Sequence, residues 1–364
     1  MNINFHKDFK LNEVSFATVD ELLVYTANFS EDVQHFLGDW FSEKEFVVVQ
    51  TSGSTGIPKL IKLQKKQMQN SAIATGNYFN LKEKTTAFLC LPVEYIAGKM
   101  MLVRAITLGW HLDIVAPTSS PLKENSTAYD FSAMVPLQVE NSLEKLHQIK
   151  KLIVGGGVVS NNLQEKLQPI STEVFATYGM TETITHIAIK KLNHFTSLRG
   201  ELMKQCLPKE FYQTLPGVII YKDERNCLVI DAQKVSQEII FTNDVVNLIS
   251  DTQFEWLGRF DNVINSGGIK LHPEKIEEKL SRIIEQRFFV VGIPDEKLGK
   301  KLILVIELDS FKISKFERLL AVELNNLVGL SKFEVPKKIY FIDAFIETET
   351  KKIQRKKTLD LIKF

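Results

Sequence analysis

Between Thr86 and Gly179 short apolar runs alternate with segments of helical texture, and this alternation constrains the fold more than any other feature of the chain. TAFLCLP, HLDIVAP, KKLIVGGG and TEVFATYG read as buried strands, while AGKMMLVRAITLG, LEKLHQIK and NNLQEKLQPI read as helices between them. Strands joined through helices pair in parallel, so the expected class is α/β, with a large layered α/β N-terminal domain. From about Leu215 the texture changes to GVIIYKD, NCLVIDA, EIIFTND and FEWLG, short β-like runs that predict a β subdomain closing this first domain. A third texture follows LGRFDN. HPEKIEEKLSRII has Pro273 in its first turn and Ile276, Leu280, Ile283 and Ile284 on one face, the pattern of an amphipathic helix. RFFVVGIPD and KKLILVIEL read as a strand pair, KFERLLAVELNNLVGL as a helix and KKIYFID as a last strand, which together predict a small α+β C-terminal domain. At 364 residues two domains are the expectation, 1–259 and 260–364, divided near Arg259 to Asp261.

Composition narrows the function. The chain carries 45 basic and 44 acidic groups, a formal net charge of +1, so overall charge gives no argument for a nucleic-acid partner. Cys90, Cys206 and Cys227 have no CxxC spacing, which suggests neither a zinc site nor a disulfide framework. The N-terminus has charges where a signal peptide would be apolar, and no run approaches 18 apolar residues. The expectation is a cytoplasmic protein without membrane insertion.

Two stretches carry chemistry. QTSGSTGIPKLIKL, Gln50 to Leu63, packs hydroxyls and glycines between two β-like runs. It is too long for a hairpin turn, it is flanked by strands as a linker would not be, and Pro58 and Leu60 around Lys59 break the Walker pattern. What remains is a phosphate-gripping loop. Gly53 and Gly56 let the backbone approach an anion, Thr51, Ser52, Ser54 and Thr55 donate hydrogen bonds, and Lys59 adds positive charge. The second stretch, TYGMTETITH, puts Thr181 and Glu182 after an apolar strand, where open α/β sheets bind ligands. A hydroxyl beside a carboxylate suits a nucleotide phosphate and its Mg2+; a helix-capping pair is the plainer alternative.

TSGSTGIPK, YGMTET, GRFDNVINSGG with HPEKIE, and TETKKIQRKK, in that order, resemble the adenylate-forming superfamily of acyl-CoA synthetases, adenylation domains and luciferases. The resemblance runs from Phe46 to Lys357. It implies an ATP-dependent acid–thiol ligase in which a carboxylate attacks ATP, an acyl-adenylate forms and a thiol, coenzyme A (CoA), takes the acyl group. It further implies that Thr51 to Lys59 grip the β- and γ-phosphates, that Gly155, Gly156 and Gly157 lie against adenine, and that Tyr178 stacks on it. Thr181 would touch the α-phosphate and Glu182 would hold Mg2+. Asp244 and Arg259 would bind the ribose, with Asn243 standing where the family usually has glycine. Asp261 matches the hinge about which a mobile C-terminal domain rotates, and Ser266, Gly267 and Gly268 would line the pantetheine tunnel. Lys352 matches the catalytic lysine, although Lys351 precedes it where the family has glycine, and Lys351 stays as the alternative.

Some 45 residues precede the phosphate loop, and LCLPVEYIAGKMMLVRAI follows it. Both features resemble the o-succinylbenzoate–CoA ligase family of menaquinone biosynthesis, which shows LPxxHxxG and then an arginine. Tyr95 takes the place of the usual His, while Gly98 and Arg104 are kept. Thr185 and His186 would add polar groups to the acid pocket. Another aryl- or acyl-CoA ligase, an adenylation domain loading a carrier protein, and a non-catalytic nucleotide-binding relative remain as alternatives.

Overall fold

The apolar runs of the first half become a parallel sheet. In the computed structural model, which describes residues 4–50, 59–193, 211–308, 320, 323–324, 327, 329–348 and 353–362, six strands pair in parallel. Their spatial order is Lys10–Leu11, His111–Ile114, Thr86–Leu89, Tyr129–Met134, Ile149–Val154 and Glu173–Gly179. Ala87, Phe88 and Leu89 are all buried, as a central parallel strand covered on both faces requires. The expected helices form at Ile96–Leu108 and Asn161–Leu167, and LEKLHQ is a 3-10 helix rather than an α-helix. A helix that the reading did not anticipate, Lys65–Phe79, packs against Ile96–Leu108.

The β-like runs after Leu215 do not form a sheet of their own. His186–Lys191, Tyr212–Thr214, Gln253–Arg259, Ile240–Ser250, Cys227–Asp231 and Ile219–Lys222 extend the parallel sheet as an antiparallel wing. The short connections from Ile219 to Arg259 favour antiparallel pairing of the last four of these strands, and the β subdomain is that wing.

The chain changes sheets after Arg259. A 3-10 turn, Phe260–Asn262, leads into a second sheet of Ile264–Ser266, Ile269–Leu271, Phe288–Asp295, Gly299–Glu307 and Lys338–Ile342. The Pro273–Leu280 helix lays Ile276 and Leu280 on this sheet against Val290 and Leu304. Burying each such aliphatic side chain stabilises the fold by about 1.5–3 kcal/mol. Most of the expected helix KFERLLAVELNNLVGL lies outside the described residues.

The hairpin that frames the phosphate-loop sequence is anchored at its base. Phe46–Gln50 pairs antiparallel with Leu60–Gln64, Gln50 opposite Leu60. The next residue, Lys65, is buried and donates from Nζ to the Ser42 carbonyl at 2.8 Å, at the C-terminal end of the Glu31–Phe41 helix. A cation there complements the helix dipole, while burial lowers the lysine pKa. Among the described residues no helix is long and apolar enough to cross a membrane.

Candidate active site

Beyond the C-terminal ends of the neighbouring strands Ile149–Val154 and Glu173–Gly179 lies a cavity of about 460 Å3. Tyr178, Asp244 and Trp256 from the large sheet and Gly157 from the loop after Val154 line it, with Glu277 and Arg355 from the C-terminal part of the chain. The glycine run is required by close approach. A Cβ on Gly155 would stand 2.7 Å from Thr177 Oγ1, and Gly156 has φ +77°.

Asp244 is buried at the centre of this wall. Its Oδ2 accepts from the Tyr178 hydroxyl at 2.7 Å, and its Oδ1 accepts from Trp256 Nε1 at 3.2 Å and Arg259 Nη1 at 3.4 Å. Strict strand alternation would send Trp256 and Arg259 to opposite faces. The register shift between the Asp244–Arg259 and Val246–Trp256 rungs, with Gly258 at φ +139°, turns both toward one carboxylate. Burial, and then Asp244, push the Tyr178 hydroxyl well above its ordinary pKa, so it stays a donor. A carboxylate offers about four lone-pair positions, and three are taken here. A diol would fill the fourth and displace Arg259, whose bond is the longest.

The sheet then turns sharply. Thr181–Thr183 is a 3-10 turn with Thr181 half-buried and Glu182 exposed. One exposed carboxylate is a donor of the kind Mg2+ takes, since that ion keeps several waters and binds only one or two protein carboxylates. Two residues on, a buried polar cluster begins. Arg104 donates from Nε to Thr75 Oγ1 at 3.4 Å, from Nη2 to Thr185 Oγ1 at 3.3 Å and from Nη1 to Met101 Sδ at 3.6 Å. His186 lies 3.5 Å from Thr75 Oγ1 through Nε2 and 3.1 Å from Thr185 Oγ1 through Nδ1.

The proton directions follow from counting. Thr75 gives its only hydroxyl proton to the Ser71 carbonyl at 3.0 Å, so Nε2 of His186 must carry hydrogen and Nδ1 must accept from Thr185. Burial, and then Arg104, push the His186 pKa down to about 3, which keeps the ring neutral. Burial lowers Arg104 to about 10, so it remains charged at neutral pH, and no carboxylate pairs with it among the described residues. His186 is therefore a satisfied core histidine behind Arg104.

Other anticipated residues are dispersed. Tyr95 is half-buried at the N-terminus of the Ile96–Leu108 helix. Gly267 and Gly268 form the exposed two-residue turn of the Ile264–Ser266/Ile269–Leu271 hairpin, with φ +58° and +81°, and do not line the cavity. Ser266 pairs with Gly299 beside that turn. Asp261 lies in the turn between the two sheets, and Lys59 is exposed beside the end of the Phe46–Gln50/Leu60–Gln64 strand pair. Thr51, Ser52, Gly53, Ser54, Thr55, Gly56, Lys351 and Lys352 lie outside the described residues. Sequence reasoning missed Trp256, Thr75 and the pair Arg355–Glu277, bonded at 2.8 Å. Glycine inside the strand-like FEWLGR was the available sign of a bulge.

Comparison with known proteins gives this geometry a family. The sequence profile of the AMP-binding enzyme family matches residues 23–205. Two 2-succinylbenzoate–CoA ligases of Bacillus cereus are 23% and 24% identical, each aligning with 88% of this chain and 71% of their own length. An acyl-CoA synthetase (AMP-forming)/AMP-acid ligase II-like protein from Dyadobacter fermentans is 36% identical, with a TM-score of 0.59, covering 92% of this chain and 94% of that one. The o-succinylbenzoate CoA synthetase of Bacillus subtilis in complex with ATP and magnesium ion shares the fold, with a TM-score of 0.69 at 19% identity over 94% of this chain and 82% of that one. The chain belongs to the AMP-binding enzyme family and is an adenylate-forming acid–thiol ligase.

Proposed function

We propose that this enzyme is an o-succinylbenzoate–CoA ligase, joining the succinyl carboxylate of its substrate to CoA in menaquinone biosynthesis. One observation carries the reading. Arg104 is a buried guanidinium held by two hydroxyls and a thioether, with no carboxylate partner among the described residues. An unpaired buried cation is costly, and a substrate with a second, ring-borne carboxylate would complete it. The names of the Bacillus cereus relatives support the same acid.

In this reading Gly155, Gly156, Gly157 and Tyr178 hold adenine, and Asp244 with Arg259 holds the ribose. Residues 51–56 and Lys59 grip the β- and γ-phosphates, and Thr181 bonds the α-phosphate. Mg2+ held by Glu182 among the phosphate oxygens would supply charge neutralisation there. Attack of a carboxylate on the α-phosphorus brings anions together, so Lys352 and the hydroxyl donors must stabilise the charge that develops. Tyr95 and Thr185 face the acid, and His186 supports Arg104 from behind. Residues 1–259 and 260–364 are two domains joined at Asp261, and rotation there brings Gly267 and Gly268 to the pantetheine of CoA. The setting is cytoplasmic, where ATP and CoA are available.

The test compares o-succinylbenzoate with an analogue lacking the ring carboxylate, by kcat/KM for ATP- and CoA-dependent turnover. A pocket built around a buried donor should favour the dicarboxylate by about 10⁴-fold. Comparable values would return the assignment to a generic aryl- or acyl-CoA ligase.

A further inference from the structure

Ile184 is the only β-branched residue among the described residues with positive φ, +66° with ψ −59°. These angles are those of a γ-turn, and Thr185 N closes it by donating to the Thr183 carbonyl at 2.7 Å. A branched side chain resists this conformation, so it persists only where the surroundings over-determine it. Three contacts do so. The Ile184 side chain is locked into the main core. Gly179 abuts the turn so closely that a Cβ would stand 2.1 Å from the Thr185 carbonyl. Thr183 is fully buried; its hydroxyl accepts from Met180 N at 3.0 Å, and its one proton has two carbonyls in reach, Thr185 at 2.7 Å and Met180 at 3.0 Å, of which Thr185 is the nearer.

That hydroxyl joins the two ends of the strained turn. Just before it stand Thr181 and Glu182; just after it stands Thr185, whose hydroxyl accepts from Arg104. We propose that Thr183 is a positioning residue that clamps the turn at Ile184 and so fixes the spacing between the nucleotide side, Thr181 and Glu182, and the acid side, Thr185 and Arg104. The proposal rests on the roles assigned to those four residues above. Near-attack alignment of a carboxylate on the α-phosphorus tolerates little error, since a shift of about 1 Å can cost roughly 100-fold in rate.

The experiment measures acid-dependent pyrophosphate exchange, ATP affinity without acid, and thermal stability in four proteins: wild type, Thr183→Val, Thr183→Ser and Thr183→Ala. With rates corrected for the folded fraction, Val and Ala should lower kcat by about 10- to 100-fold. Ser should stay near wild type, and the ATP dissociation constant should move by less than about threefold in every variant. Should Val fail to fold, the Ser–Ala pair isolates the same hydroxyl. Wild-type exchange with equal kcat in Ser and Ala overturns the proposal, as does a loss explained wholly by the unfolded fraction. Absence of acid-dependent exchange in the wild type would instead overturn the assigned roles.

Discussion

Replacing Arg104 by Met should make the protein at least as stable while removing the proposed preference for a dicarboxylate. The magnitude follows from the cluster. Arg104 makes three contacts, at 3.3, 3.4 and 3.6 Å, all long for charge-assisted bonds and one of them to sulfur. Their loss strands no buried donor. Thr75 still donates to the Ser71 carbonyl and accepts from His186, and Thr185 still donates to His186 Nδ1. Against that modest loss stands the desolvation cost of a buried ion, several kcal/mol. An apolar chain of similar volume should leave stability unchanged or raise it by about 1–4 kcal/mol. In a domain of this size each kcal/mol is worth roughly 2–4 °C in Tm. Catalysis should move the other way. Leaving the substrate's ring carboxylate without its buried partner costs about 3–5 kcal/mol, or roughly 10²- to 10⁴-fold in kcat/KM. The analogue without that carboxylate should be turned over at least as well as by wild type. Calorimetry with the two-substrate kinetic comparison reads both arms. A Tm lowered by more than about 10 °C with discrimination intact would show that Arg104 is a structural cation and refute the argument.

Three further expectations concern the nucleotide wall and the C-terminal part. Lys352→Ala should lower adenylate formation by about 10²- to 10³-fold and spare thioester formation from supplied adenylate; if Lys351→Ala gives the selective loss instead, the neighbouring lysine is the catalytic one. Asp244→Asn points an amide donor at donors already placed by Tyr178, Trp256 and Arg259, and ATP affinity by titration calorimetry should weaken by about 10- to 100-fold. Glu277 is pushed up to about 7 by burial, with Arg355 opposing. Between pH 4.5 and 7 the folded state then holds a proton that the unfolded state has released, so stability should fall as pH rises through that window. Glu277→Gln should flatten this part of a Tm-against-pH curve, and an unchanged slope would assign it to other groups.

What the sequence disclosed and what it concealed differ for physical reasons. Runs such as TAFL and the LIV of KKLIVGGG announced themselves because the buried part of a parallel strand is apolar on both faces. Tyr129–Met134, a central strand between them, did not, because Asp130 and Ser132 interrupt its pattern. Both are satisfied across the sheet: Asp130 accepts from Thr86 N and Oγ1, each at 2.9 Å, and Ser132 donates to the Phe88 carbonyl at 2.8 Å. Polarity in a strand disqualifies burial only when no neighbour answers it, and neighbours are set by topology. The ordered motifs were enough to bring Gly157, Tyr178 and Asp244 to one cavity wall. Trp256 required the bulge at Gly258 to be known, and Glu277 meets Arg355 across 78 positions of chain. The significance of Arg104 was least legible of all. A sequence records a charge, whereas here the informative fact is that no carboxylate pairs with it among the described residues.

The departure at Asn243 acquires a meaning only from this geometry. Its backbone is ordinary strand, so the side chain does not disturb the wall that holds Asp244. Asn243 Nδ2 donates to Asp261 Oδ2 at 3.2 Å, and its Oδ1 accepts from Arg225 Nη1 at 2.9 Å. Arg225 is in turn paired with Asp223 at 2.7 Å and lies over the Phe260 ring at 5.4 Å. The Asp244–Arg259 rung and the Asn243–Asp261 bond are thus adjacent links between the same two stretches of chain. Under the proposed hinge, rotation at Asp261 must break a bond that glycine at 243 could not make. That bond is exposed, so it is weak enough to break and remake within a catalytic cycle. A ribose that displaces Arg259 from Asp244 acts one rung away from it. On the proposed ribose and hinge roles, nucleotide occupancy and the orientation of the C-terminal part would bear on one ladder, through a residue at which this chain leaves the family pattern.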